Sequence, residues 1–91
     1  MKNLGQMMQQ AQKMQEKMAE MQESLADYEA TGSSGAGIVQ VTLNGKGEAR
    51  RVHIDGAKFD PGEVAVVEDL IVAAINDARA KVDAHAAEKM A

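Results

Sequence analysis

The chain lacks cysteine and tryptophan, and its 91 residues include one tyrosine, one phenylalanine and one proline. Without cysteine it can form neither disulfide bonds nor thiolate zinc sites, which fits a reducing compartment. So few aromatic rings argue against a binding surface built from stacked bases. The longest apolar run, Leu70 to Ile75, is far shorter than the roughly 20 residues that cross a bilayer. The Gln-rich N-terminus also lacks the apolar core of a signal peptide. We therefore expect a single cytoplasmic domain, residues 1–91, that does not bind a membrane.

The net charge of −4 disfavours a nucleic-acid partner, but the charges are segregated along the chain. Residues 1–15 contain Lys2 and Lys13 and no acidic residue, whereas residues 60–77 contain five acidic residues and no basic one. Such segregation can build a positive groove on an acidic protein. The charge pattern thus permits a phosphate-bearing partner without requiring one.

Apolar side chains recur at alternating spacings of three and four residues from position 4 to position 28. This set, which we call the methionine seam, consists of Leu4, Met7, Ala11, Met14, Met18, Met21, Leu25 and Tyr28. On a helix the spacing forms one apolar stripe, and 25 residues make a rod of about 37 Å. A compact domain of this length has a radius of gyration of only about 12 Å, so the rod should project from its body. We expect a second copy of the chain to cover the seam. Binding of varied protein clients by flexible methionines is an alternative.

Local signals set the bounds of this first helix. Asn3 and Gln6 form a capping-box pattern that should begin it, and it should end near Ala30. The next residues, Thr31 to Gly37, are a dense run of helix breakers. Their glycines lack the spacing and the Gly-Lys-Ser/Thr ending of a phosphate loop, so we interpret them as a turn.

Residues 31–58 should form a small antiparallel sheet of two to three strands. Val39 to Leu43 alternate apolar and polar residues, Asn44 to Gly47 indicate a hairpin turn, and Glu48 to Asp55 should return as a second strand. Glu29 to Ser34 could pair as a third strand.

A second helix should occupy residues 60–90, with Asp60 as its cap and Pro61 at the first helical position. Its first half is apolar around most of its circumference, more than one sheet can cover, so the surplus face should contact another subunit. The expected dimer-interface residues are Val67, Leu70, Ile71, Ala74 and Ile75. The order of elements predicts an α+β fold: a long helix at each end of the chain and the sheet between them.

No group of residues indicates catalysis or metal binding. His53 and His85 belong to no recognisable set of ligands. Glu68 and Asp69 are adjacent, so they diverge by about 100° on a helix and cannot act as a catalytic pair. We expect no enzymatic activity, no metal, no cofactor and no small-molecule substrate.

Several motifs follow one another in order between residues 6 and 90. They are Gln12 to Met18, Gly35-Ala36-Gly37 before a Val-x-Val strand, Asn44-Gly45, Arg51-Val52-x-Ile54-Asp55, Glu68-Asp69-Leu70 and Ala74-x-Asn76-Asp77-Ala78. Each motif alone is weak, but together they resemble the YbaB/EbfC nucleoid-associated proteins. The resemblance implies a tweezer-like homodimer whose helical arms flank a gap. It also implies binding of double-stranded DNA with little or modest sequence preference, and a role in nucleoid organisation and gene expression.

Basic residues are the candidates for contact with DNA phosphates: Lys13, Lys17, Arg51, His53, Arg79 and Lys81. Arg50 and Arg51 should alternate across a strand, so only one of them can face solvent, and we expect Arg51 to do so beside His53. Simple solvation of a charged face is the alternative for Lys13 and Lys17 and for Arg79 and Lys81. An alternative function is a dimeric scaffold that grips a protein partner between the same arms.

Overall fold

The computed structural model describes the backbone of residues 3–90 and the side chains of residues 3–88. Two long helices and three strands follow one another as α1 (Leu4–Asp27), β1 (Glu29–Ser34), β2 (Val39–Asn44), β3 (Ala49–Ile54) and α2 (Val64–Met90). The strands form one antiparallel sheet in the order β1-β2-β3. This arrangement confirms the predicted α+β fold, including the third strand at Glu29–Ser34.

The first helix, α1, projects from the rest of the molecule as an arm. None of its residues is buried, and only Leu25 and Ala26 at its C-terminal end are half-buried. Its 24 residues span about 36 Å. The radius of gyration is 19.8 Å and the extents are 73 × 22 × 16 Å, whereas a compact chain of this length would have a radius of about 12 Å. The predicted overhang is therefore confirmed.

The two ends of α1 differ in detail from the prediction. Asn3 precedes the helix, but its backbone is helical and its side chain makes no capping hydrogen bond, so the capping box does not form. The helix ends at Asp27 rather than near Ala30, because Tyr28 is extended and the next residue already pairs with β2. Tyr28 thereby leaves the methionine seam. Its ring stacks on His85 of α2, with 3.6 Å between the ring centroids.

The β2–β3 hairpin anchors the arm to the body. The N–H of Gly45 donates to the carbonyl oxygens of Leu25 and Tyr28, at 2.7 and 3.0 Å. A Cβ atom at Gly45 would lie 2.5 Å from the Leu25 carbonyl oxygen, so only glycine allows this approach. The buried Asn44 side chain holds the turn by accepting a hydrogen bond from the Glu48 N–H. The Asn-Gly pair thus forms the hairpin turn and also binds the C-terminal end of α1 to the sheet.

The second helix, α2, packs against β1 and β2 and closes the hydrophobic core. The core consists of Ala30, Val39, Val41, Leu43, Ala74, Ala78 and Val82. At Gly32 the strand and the helix are so close that a Cβ atom would lie 2.2 Å from both the Ala74 carbonyl oxygen and the Ala78 nitrogen. The interpretation of Gly32 as a turn residue was therefore wrong, since it lies inside β1. Only Gly35–Gly37 form the turn.

The N-terminal end of α2 also begins later than predicted. The helix starts at Val64, and Asp60 to Glu63 form a separate turn, closed by the Glu63 N–H donating to the Asp60 carbonyl oxygen at 2.9 Å. Asp60 is therefore not the helix cap, and Pro61 lies in the turn. A Pro-Gly pair favours a turn of its own, which explains the delay.

Candidate functional site

The face of the sheet opposite α2 is open and polar. The cross-strand rows Thr31–Thr42–Arg51 and Ser33–Gln40–His53 lie on it, since their neighbours in each strand point into the core. A shallow depression of about 440 Å³ lies over this face, bordered by Thr31, Gln40, Arg51 and His53 among others. The structure therefore brings two of the six candidate DNA-binding residues, Arg51 and His53, together on one open surface.

A β-bulge changes the expected positions of the two arginines on β3. The register between β2 and β3 shifts between Thr42 and Leu43, so Arg50 is the extra residue on β3. A bulge bends its strand and redirects a side chain. Both arginines consequently reach the same carboxylate: Arg51 contacts Glu29 at 2.8 Å and Arg50 contacts it at 3.8 Å. The prediction that only one arginine can lie on the open face was wrong, because strict alternation fails at a bulge.

The ion pair between Arg51 and Glu29 spans all three strands. Arg51 is on β3 directly opposite Thr42 of β2, whereas Glu29 is on β1. The arginine side chain must therefore cross over Thr42, which is 6% exposed although it lies on the open face. Thr42 forms a hydroxyl hydrogen bond with Thr31 at 2.8 Å. The hydrogen bond from Arg51, with the positive charge of both arginines, holds the pKa of Glu29 below its ordinary value.

The lysines of the arm lie far from the sheet. Lys13 and Lys17 are exposed and one helical turn apart on α1. Lys13 precedes the end of the helix by 14 residues, or about 21 Å. No ion pair within the described residues includes either lysine. The candidate basic residues of α1 and of the sheet therefore form two separate groups within the chain.

The two candidates on α2 have partners within the chain. Arg79 contacts Asp83 at 3.3 Å. Lys81 donates to the Thr31 carbonyl oxygen at 2.7 Å and lies 3.5 Å from Asp77. Asp77 in turn accepts the Ser33 N–H, and this hydrogen bond holds the Asp77 pKa below its ordinary value. Lys81 and Asp77 thus cap the outer edge of β1, a structural role that the sequence did not suggest.

The expected dimer-interface residues divide into two groups. Ala74 and Val67 are buried within the chain at 0% and 8% exposure, and Leu70 packs beside Gly35. Ala74 therefore has no free surface for a partner. Ile71 is half-buried and Ile75 is 40% exposed.

Sequence reasoning missed Val52 as a candidate interface residue. It lies opposite Val41 on the inner face of the sheet, yet it is 54% exposed. A helix about 10 Å wide covers two strands that are 4.8 Å apart, and α2 covers β1 and β2. The sequence predicts up to three strands, and one helix can cover only two of them, so it could have indicated that one strand is left uncovered. Ile75 points toward this uncovered strand, since it lies about 200° around α2 from Asp77, which contacts the opposite edge.

The described residues contain no group of three or more His, Asp or Glu side chains that could hold a metal ion. None of the helices in the described part of the chain is long and apolar enough to span a membrane.

Comparison with known proteins identifies the family of this chain. Residues 1–91 match the model of the YbaB/EbfC DNA-binding family. A nucleoid-associated protein of Paramagnetospirillum magneticum is 63% identical over 91 residues, which are 100% of this chain and 85% of the relative. One from Granulibacter bethesdensis is 59% identical over 90 residues, 99% of this chain and 84% of the relative.

Among solved structures, an uncharacterized protein from Helicobacter pylori has the same fold. Its TM-score is 0.74 at 24% identity, and the match covers 96% of this chain and 91% of that one. The family description and the names of the relatives denote DNA binding and nucleoid association rather than catalysis. The chain belongs to the YbaB/EbfC DNA-binding family.

Proposed function

We propose that this protein binds double-stranded DNA as a homodimer, with little or modest sequence preference, and that it thereby influences nucleoid organisation and gene expression in the cytoplasm. The observation that carries the proposal is the match of the whole chain to a DNA-binding family. The structure adds an arm of about 36 Å whose exposed lysines can contact phosphates along a duplex.

The chemistry of the arm favours contact with the DNA backbone over base readout. Lys13 and Lys17 are flexible point charges, and contacts to phosphates carry no sequence information. The exposed glutamines Gln6, Gln9, Gln10 and Gln12 can donate to phosphate oxygens without adding charge. Such contacts support binding to unrelated sequences with similar affinity.

Uncovered apolar surface supports the homodimer. Val52 on the inner face of β3 and Ile75 on α2 border a surface that no described element of the same chain covers. A second copy placed there would bury both residues and would carry a second arm. Two arms attached to one dimer core would frame a gap for a duplex.

The methionine seam favours a second candidate function, a dimeric scaffold that grips a protein. Its residues Leu4, Met7, Met14, Met18 and Met21 are 60–66% exposed. Flexible methionine surfaces can adapt to varied partners. In that case nuclease treatment would leave a partner bound, and DNA would compete poorly for the arms.

A mobility-shift assay with charge-reversed arms tests the proposal. The double variant Lys13→Glu with Lys17→Glu should weaken binding of unrelated duplexes strongly, because up to four phosphate contacts per dimer are lost. The matched control is Lys46→Glu with Lys58→Glu. Both lysines are exposed on the body, and this variant changes the net charge by the same amount. Equal weakening by both double variants would show that net charge alone matters and would contradict a role for the arms.

A further inference from the structure

We propose that Arg50 and Arg51 form a phosphate-binding pair on the open face of the sheet, and that Glu29 is its built-in competitor, which limits affinity for DNA. This inference rests on the proposed DNA binding. It adds a surface outside the arms and assigns a regulatory role to one acidic residue.

The positive charges of Arg50 and Arg51 converge at one point on the open face. The β-bulge brings both arginines to Glu29, and Arg51 uses two of its nitrogens, Nη1 at 3.5 Å and Nη2 at 2.8 Å. A guanidinium presents the same forked donors to a carboxylate and to a phosphate. Glu29 therefore occupies the donors that a DNA phosphate would use.

Both arginines are accessible from solvent. The side chains of Arg50 and Arg51 are 52% and 64% exposed, so a phosphate oxygen can approach them from solvent. An ion pair at this exposure contributes only modestly to folding, because water and salt screen it. Exchange of the Glu29 carboxylate for a phosphate is therefore possible without unfolding the sheet.

Further hydrogen-bond donors surround the two arginines. The Thr31 hydroxyl lies in the same cross-strand row as Arg51, and Gln40 and His53 lie in the adjacent row on the same face. Their side-chain donors can bind the remaining phosphate oxygens. The depression over this face is shallow and open, which suits an extended backbone rather than an enclosed small molecule.

Removal of the carboxylate tests the proposal. Glu29→Gln keeps the size and shape of the side chain and should tighten duplex binding by roughly three- to tenfold at low salt. It should also steepen the dependence of log affinity on log salt by about 1 to 2 for each subunit, because each newly bound phosphate adds about 0.9. Circular dichroism and thermal unfolding verify that the variant remains folded.

Asp69→Asn is the matched control. Asp69 is exposed on α2, and no ion pair within the described residues includes it, so this variant makes the same change in net charge away from the sheet face. It should alter affinity by less than about twofold. Adding Arg50→Gln and Arg51→Gln to Glu29→Gln should abolish the gain. Equal gains from Glu29→Gln and Asp69→Asn, or a gain that survives loss of both arginines, would overturn the proposal.

Titration with inorganic pyrophosphate separates this inference from the proposed function. In Glu29→Gln, the Nε–Hε NMR signals of Arg50 and Arg51 should shift on addition of pyrophosphate, and in the wild type they should shift much less. If duplex DNA fails to bind but these shifts occur, the proposed function is wrong and the phosphate-binding pair stands. If DNA binds but the shifts are absent, the pair is wrong and the arms alone account for binding.

Discussion

Replacing Gly32 with alanine adds one methyl group between β1 and α2, where the structure has no room for it. The new Cβ would lie 2.2 Å from the Ala74 carbonyl oxygen and 2.2 Å from the Ala78 nitrogen, whereas ordinary contacts of a Cβ lie at 3.4–4 Å. The strand and the helix must therefore separate by about 1 Å, and neither neighbour is a side chain that could rotate away. Overpacking of this kind costs about 3 kcal/mol. For a domain of this size the melting temperature should fall by roughly 12–24 °C.

The assay is urea denaturation followed by circular dichroism, at one protein concentration because self-association would shift the midpoint. Gly62→Ala is the control, since nothing lies within 4 Å of its Cβ position and its φ is not positive. The control should change the free energy of unfolding by no more than about 0.5 kcal/mol. If Gly32→Ala costs less than about 1 kcal/mol, the close packing of α2 on β1 is wrong.

Three further predictions concern pH, assembly and backbone strain. Because the folded-state pKa values of Glu29 and Asp77 are lowered, both groups stabilise the fold above their unfolded pKa values. The urea midpoint should therefore fall as acidification protonates them. Asp77→Asn should make the urea midpoint depend less steeply on pH. If the slope of midpoint against pH is the same in this variant, the stabilising role of Asp77 is contradicted. Ile75→Asp should yield a folded monomer by light scattering, because it places a charge in the proposed interface. Asn76→Asp adds the same charge at the next residue and should leave the dimer intact. A dimer that persists in Ile75→Asp would exclude the interface at Val52 and Ile75. Ala36 has a left-handed φ of 56°, so Ala36→Gly should stabilise the chain by up to about 0.5 kcal/mol; a loss larger than this would contradict strain at that turn.

Most elements of the fold could be predicted from the sequence, because periodicity and turn residues act locally. The heptad at Leu4 to Leu25 predicts the arm, and Asn44-Gly45 predicts the hairpin. The errors arise where distant segments meet. Gly32 resembles a turn residue until α2 is known to cross β1 there. Likewise the first helix ends early because Glu29 pairs with Asn44, and no local pattern records that pairing.

The candidate site was less predictable, because it depends on register. Alternation assigned Arg50 and Arg51 to opposite faces, whereas the bulge directs both toward Glu29. A β-bulge, which is one extra residue in a strand, produces no reliable pattern in the sequence. Lys81 was expected to be free for DNA, but it donates to a carbonyl oxygen of an edge strand 50 residues away. Contacts between a helix and a sheet edge require three-dimensional positions.

The most direct test of the account is the salt dependence of DNA binding, measured by fluorescence anisotropy on two unrelated duplexes of equal length. Log affinity should fall linearly with log salt for both duplexes, with similar affinities. Replacing Lys13 and Lys17 with glutamate should reduce the slope of log affinity against log salt by up to about 3.6, or about 0.9 for each of four lysines in a dimer. Absence of binding at about 50 mM salt, or a slope that the arm reversal leaves unchanged, would contradict the claim that two lysine-bearing arms hold the duplex.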